Sequence, residues 1–468
     1  MPFEGEVANK ASHYDIIRNP EVTKFLDGCE YLKIPSQSEA QGMAAKFEVP
    51  PHANIAQAPK TVMAIDGSYY EASISRQFPS TRVGYVKVGA VFIDMTKMGA
   101  LRVEGGRFVD PFRVAALQDD NSALTFPLPS ANIRTAGKTS VRDSFRAEVD
   151  AQLLAPKTRF RDTDYKTSLR TTLFHLASSR TGPLATGTQD RLKLHRCPAC
   201  GVGPVELEDI PDQQHCPTCK AEVYPSDVLR LWEVVADFQS NVEPMTRFML
   251  QVEHMLPVHY VRHLVETSPA VLGSLAVFVD GPLAVFGQGA WLHAPILRFF
   301  GGVNAKLAAI GAPPLLVIGI QKTGQVVEHV LAIERFLPDN RVYAIDDDYR
   351  YEHILAGREA STDGFGSETY YGQDFIYKTP TGKVFVFALP YPVTQKTDWP
   401  KFAEEKIKIA NYANLGRAVD LVTKLETDLY ENAVIPIALA HRFTAISMRP
   451  GGRVLDVLTE TALSDIKV

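Results

Sequence analysis

The sequence predicts an α/β protein, a mixed-sheet core with flanking helices into which a basic segment and a four-cysteine module are set. Two apolar runs early in the chain, "TVMAID" and "VGYVKVGAVFIDM", have the length and spacing of strands. Apolar residues at helical spacing follow between Ser226 and Glu266. Strand-like runs then alternate with helical stretches to the C-terminus, as in "LAVFVD", "PLLVIGI" and "KVFVFALP".

At 468 residues the chain has room for one large or two to three ordinary domains. Its 45% hydrophobic and 22% charged residues exclude a disordered or fibrous chain. No apolar run approaches the ~18 residues of a membrane span. The opening "MPFEGEVANKASHYD" has neither the basic nor the apolar region of a secretory signal. The expectation is a cytoplasmic protein with no membrane partner. A net charge of −5 argues against a general nucleic-acid coat protein. The charge is uneven, however: residues 131–196 hold 13 Lys+Arg against 6 Asp+Glu. Within them "KTRFRDTDYKTSLR" mixes cations with Phe160 and Tyr165, which fits either a solvated helical face or a phosphate-contacting surface.

In order along the chain, residues 1–60 read as a helical and irregular lead-in that ends in "EVPPHANIAQAPK". Residues 61–130 form the first part of the core, with the two early strands and a further strand-like stretch, "ALRVEGGRFVD", to Asp110. Residues 131–192 are a basic insertion, and 193–224 the cysteine module. The remainder of the core, 225–468, opens with Leu229, Trp232, Val235, Phe238, Phe248, Val252 and Leu264 at helical spacing. Pro244 and Pro257 are expected to divide or kink that stretch. A strand and turn ("LAVFVDGPLAVF"), a helix ("APILRFFGGVNAKLAAIG") and a strand ("PLLVIGIQKTG") come next. "GFGSETYYG", Gly364 to Gly372, reads as a mobile loop, and a helix is expected near Asn411 to Tyr430.

The cysteine module is the most specific motif. Cys197 and Cys200, then Cys216 and Cys219, form two C-x2-C pairs fifteen residues apart. Two intervening residues let both thiolates of a pair face one ion, and two pairs complete a tetrahedral four-thiolate zinc site. Pro198, Pro217 and Gly201 suit the tight turns of such knuckles. Four sulfur ligands leave no open position for water, so this zinc is expected to be structural; a redox dithiol pair is the other reading. Cys29 stands alone and is expected to be a small buried apolar residue.

Asp66 in "AIDGS" and Asp280 in "FVDGPL" each follow an apolar run. Alone, both are Asp-Gly turns, as Asp27-Gly28 and Asp363-Gly364 also are. Were they to converge, two carboxylates ~4 Å apart would repel by about 4 kcal/mol at an effective dielectric of 20. A bridging cation reverses that balance, and phosphodiester hydrolases use such ions to hold attacking and leaving oxygens.

Taken in order, "AIDGS", a helix-borne Glu in "TRFMLQVEHML", "FVDGPL", a strand ending "GIQKTG" and the late "IPIALAHRF" resemble the NurA family of nucleases over roughly Thr61 to Ser447. The basic segment and the zinc ribbon depart from the minimal family pattern. The resemblance implies an RNase H-like core and a manganese- (or magnesium-) dependent deoxyribonuclease. It also implies a homodimer that works with a HerA-type hexameric ATPase in DNA end processing, for repair or for phage defence. By that resemblance Asp66 and Asp280 match the metal-binding aspartates. Glu253 matches the helix-borne glutamate, preferred over Glu266 because Arg247 stands six residues before it, and His441 matches a histidine near the scissile phosphate. The family's tyrosine falls at Ala433, with Tyr430 the nearest alternative. A catalytically weak NurA-like adaptor that binds DNA and docks on the ATPase is therefore the second reading. No G-x4-G-K-[ST] is present, so the ATPase is another chain. A haloacid-dehalogenase-type phosphatase is disfavoured by Ser68 and Pro282, where a second aspartate is needed. Lys322, after "VIGIQ", fits a phosphate contact or an ordinary exposed lysine.

Overall fold

The computed structural model describes residues 13–29, 35–75, 77–98, 122–355, 358, 364–396, 398–427, 432–447 and 451–463. Its centre is an eight-stranded mixed sheet. Strands β1 (Thr61–Ser73), β2 (Arg82–Asp94) and β3 (Ser122–Pro129) form an antiparallel meander. Helices α1 (Val141–Leu154) and α2 (Leu169–Ser178) follow, then the short ribbon strands β4 (Arg191–Leu194), β5 (Val205–Glu208), β6 (Gln214–His215) and β7 (Glu222–Val223). Helix α3 (Val242–Thr267) leads back to the sheet. There β8 (Leu275–Asp280) joins β1 in parallel and, after α4 (His293–Ala309), β9 (Leu316–Gln321) joins β8 in parallel. Strands β10 (Arg341–Ala344), β11 (Gly372–Lys378) and β12 (Val384–Pro390) complete the order β10-β11-β12-β9-β8-β1-β2-β3. Helices α5 (Leu415–Leu425) and α6 (Ile435–Thr444) cover the sheet near the end of the chain.

The two-residue period of a strand sorts these side chains into two cores. Met63 and Ile65, with Val277 and Val279, pack against α1, α2, α3 and the ribbon. Val62 and Ala64, with Ala276 and Phe278, pack against α5 and α6. Strands β8 and β9 are apolar throughout because both of their faces are covered, as parallel central strands require.

Residues 131–224 belong to the first of these cores: Phe145, Val149, Leu173 and Phe174 share it with Leu192, Leu207, Cys197 and Cys216. The cations of this region are used internally. Each of the 13 Lys and Arg residues between 131 and 196 makes an intrachain hydrogen bond or ion pair. Arg146 meets Asp227 at 2.7 Å, and the buried Arg170 meets Asp150 at 3.0 Å.

The structure corrects several expectations. Helix α3 runs unbroken through both prolines. Pro244 sits in its first turn, where an N–H has no helical acceptor. Pro257 removes one bond, a loss that packing of the helix interior on both sides outweighs. Leu229 and Trp232 lie in short 3-10 turns before the helix, and Phe238 is exposed. Cys29 is also exposed: it follows a helix, Pro20–Asp27, that buries no side chain. Gly364–Gly372 is not loose, since Tyr371 is buried and its hydroxyl lies 2.7 Å from His254 Nδ1. The helix expected to reach Tyr430 ends at Leu425. "ALRVEGGRFVD", Asp363 and Tyr430 lie outside the described residues. Among the described residues, no helix is long and apolar enough to cross a membrane.

Arg170 is 2% exposed and faces two buried carboxylates, Asp150 and Asp209. Arg170→Ala takes the buried cation from both, leaving Asp209 with Lys166 and Thr171 and Asp150 with the Ser226 N–H, so urea denaturation is expected to show a loss of about 3 kcal/mol. A loss below about 1 kcal/mol would mean that the pair is solvated.

Candidate active site

The parallel register places Ile65 beside Val279, so the residues that follow, Asp66 and Asp280, stand side by side on neighbouring strands. Both have the parity of the α6-facing core residues and project toward that helix. Strand β8 ends at Asp280, and Gly281, with φ 92°, turns the chain away. Strand β1 does not end: it continues to Ser73, with Asp66 opposite Gly89 of β2. Of the two Asp-Gly pairs only the second is a turn, and Gly67 has a different role. A Cβ at Gly67 would lie 2.5 Å from Glu253 Oε1 and 2.6 Å from Met249 Cγ. The absent side chain lets α3 bring Glu253 up to the strand beside Asp66.

Glu253 is 3% exposed. Burial pushes its carboxyl well above the usual carboxylate range, and the neighbouring Asp66 and Asp280 push it further. Asp280 is raised for the same reasons, burial first and then Asp66, against the pull of Lys322, whose Nζ lies 2.6 Å from Asp280 Oδ2. Lys322 stands two residues past Ile320, the β9 partner of Asp280, and therefore shares its face. On the other flank His441 Nδ1 lies 2.9 Å from Asp66 Oδ2, and this bond raises the imidazole pKa. The His441 side chain is 53% exposed, which suits a group that meets a ligand and not a core histidine.

Two residues that sequence reasoning passed over position His441. Lys87 Nζ donates to the Phe443 carbonyl at 2.6 Å, capping the last turn of α6, and Gly89 leaves room for the Phe443 ring. A glycine inside a strand directly opposite Asp66 was the available signal. The structure thus assembles Asp66, Glu253, Asp280, Lys322 and His441. It leaves Glu266 out, at a separate cavity near the end of α3. Arg247 bonds Glu243. Ala433 is buried just before α6.

The carboxylates offer oxygen donors alone, a set suited to Mg2+ or Mn2+, and their mutual repulsion is what a cation would relieve. Among the described residues, Cys197, Cys200, Cys216 and Cys219 form the only group whose ligand atoms all lie within 4.8 Å of one another. The carboxylates are therefore more widely spread, with Lys322 and His441 on their flanks.

The cysteine group could hold a metal such as zinc. Its Cys197–Cys219 and Cys200–Cys216 sulfur separations are both 3.8 Å. Four thiolates about 2.3 Å from a tetrahedral ion would stand about 3.8 Å apart. Each knuckle is closed by the same bond, Gly201 N–H to the Cys197 carbonyl and Lys220 N–H to the Cys216 carbonyl, both 3.0 Å. Gly201 and Lys220 are both left-handed, at φ 74° and 61°.

No family model and no curated protein matches this sequence. The solved structures similar to it include two of NurA. The crystal structure of the NurA nuclease from Sulfolobus solfataricus is 10% identical, covering 98% of this chain and 96% of that one, with a TM-score of 0.34. A crystal structure of NurA is 11% identical, covering 96% and 97%, with a TM-score of 0.30. Likeness at this level does not define the fold or the activity of the present chain.

Gly67→Ala forces a Cβ onto Glu253 and Met249, and overpacking of this kind costs about 1–3 kcal/mol. Thermal or urea denaturation is expected to show that loss, and an unchanged midpoint would mean that α3 does not seat on Gly67.

Proposed function

We propose that this chain is a divalent-metal-dependent DNA nuclease of the NurA type, working as a homodimer with a HerA-type hexameric ATPase in DNA end processing or phage defence. The observation that carries this reading is the convergence of Asp66, Glu253 and Asp280, from three separate elements, with Lys322 and His441 beside them. Asp66 and Glu253 are buried and Asp280 is partly so, and the repulsion among them that Lys322 and His441 leave uncompensated is what a ligand of opposite charge would relieve. An RNase H-like core is part of the proposal. It is supported by the strand run β3-β2-β1-β8-β9, an antiparallel meander joined by two parallel strands.

In this reading Asp66, Glu253 and Asp280 hold one or two Mn2+ or Mg2+ ions. Such ions, when bound, neutralise charge on the phosphate and lower the pKa of a coordinated water. Lys322 offers an ammonium to a phosphate oxygen when Asp280 turns to its ligand role. His441, oriented by Asp66 and open to solvent, contacts the scissile phosphate or protonates the leaving oxygen. The cysteine ribbon holds a structural zinc. The 131–196 segment contributes less to DNA attraction than its composition suggests, because its cations already have partners. The adaptor reading rests on Ala433, where the family pattern has a tyrosine, and shares every feature except cleavage.

With linear DNA and Mn2+, wild-type protein is expected to cleave, and Asp66→Ala or Glu253→Gln to reduce the rate at least about 100-fold. Wild type no faster than Asp66→Ala, even with a HerA-type hexamer and ATP, leaves the adaptor reading. Elemental analysis is expected to find one zinc per chain, lost in Cys197→Ser and kept in Asp66→Ala. Zinc that departs with Asp66→Ala would contradict the division into two metal sites.

A further inference from the structure

A second cluster of charge lies on the far side of α3. Arg262 is nine residues past Glu253, roughly 14 Å further along the helix and on its opposite side. There the ends of α2 and α3 and one face of α4 enclose a cavity of about 330 Å³. Its walls bring together Arg262, Arg298 and Lys306, with Glu266 the single acid among them. The electrostatics are the reverse of those in the 131–196 segment. Among the described residues no carboxylate pairs with any of the three cations. Arg298 Nε is buried without a hydrogen-bond partner, and Arg262 donates only to the Lys166 carbonyl at 3.4 Å. Burial works against the charge on both guanidinium groups. Glu266, Asp209 and Asp164 offset part of the charge on Arg262, but three cations against one acid on the wall leave an excess of positive charge that an anionic ligand would balance. The remaining wall is apolar, with Phe299 and Val303 of α4 opposite Val265 of α3, and the Phe299 ring stands edge-on to His175.

We propose that this cavity is a phosphate-binding site of nucleotide size, separate from the carboxylate site. Arg262 and Arg298 clamp the phosphate oxygens, Lys306 adds a point charge at the mouth, and the Phe299 wall receives a sugar or base. A volume of about 330 Å³ lies at the small end of the range for ligand pockets and admits one nucleotide unit. The phosphate could belong to a free mononucleotide or to the phosphorylated end of a strand. The site does not depend on the nuclease reading, because none of its residues touches Asp66, Glu253 or Asp280.

The test is calorimetric titration of full-length Asp66→Ala protein, which removes any hydrolysis, without added divalent ion. The probes are inorganic phosphate, deoxyadenosine monophosphate, and one short oligonucleotide with either a 5′-phosphate or a 5′-hydroxyl. Phosphate and the monophosphate are expected to bind. Arg298→Gln is expected to weaken the monophosphate at least about tenfold, and Lys306→Gln about threefold. A preference for the 5′-phosphorylated strand that Arg298→Gln abolishes identifies a strand end as the source. A response to the free monophosphate alone identifies a nucleotide. Absence of binding by all four probes overturns the proposal, as does binding that neither substitution weakens. If Arg298→Gln lowers the melting temperature sharply, Lys306→Gln, at the solvent-facing mouth, decides alone.

Discussion

Helix α3 packs on apolar side chains of β1 and β2 and makes its closest approach at two glycines. Gly67 yields to Glu253 and Met249, and at Gly84 a Cβ would overlap the Met245 sulfur. This close approach decides much of the rest. It sets the depth at which Glu253 is buried, brings a third carboxylate to two that β-sheet register already aligns, and turns the other side of the helix toward α2 and α4. One helix seated on two glycines thus organises both charged regions, the acidic one against the sheet and the basic one behind it.

The two regions differ in how their charge is left. At the sheet, carboxylates press on one another and are only partly offset by Lys322 and His441. Behind the helix, Arg262, Arg298 and Lys306 face a cavity whose wall holds one acid, Glu266. Elsewhere the chain handles buried charge conventionally, as with Arg350 on Asp374 at 2.8 Å and Arg146 on Asp227. Structural ion pairs of that kind fix geometry. A local excess of one sign of charge therefore marks the candidate sites better than the net charge of a segment does.

The continuous apolar runs of β1, β8 and β9 and the cysteine spacing were all legible in the sequence, because each depends on neighbours within a few residues. Asp66 and Asp280 were legible as residues that end apolar runs, although β1 continues past the first as a strand. The choice of Glu253 over Glu266 could not be read from helical periodicity, since it depends on a vacancy at Gly67 nearly two hundred residues earlier. The 131–196 segment left two readings open for a related reason. Its charges are satisfied by Asp209, Asp227, Glu222 and Glu233, which lie outside the segment, so composition registers the cations and not their partners. Pro257 misled: a local rule against helix interiors gave way to burial of the whole helix.

The ribbon cysteines share one apolar cluster with residues of α3 and β1: Cys197 and Cys216 belong with Met255, Val252 and Ile65. This makes the ribbon a poor candidate for excision. A shortened chain lacking residues 193–224 would open the apolar layer beneath the helix that holds Glu253, and chelation of the ribbon metal would be felt there too. Oxidation of the four thiols, a chemistry remote from phosphodiesters, would for the same reason disturb the apolar layer that the ribbon shares with α3.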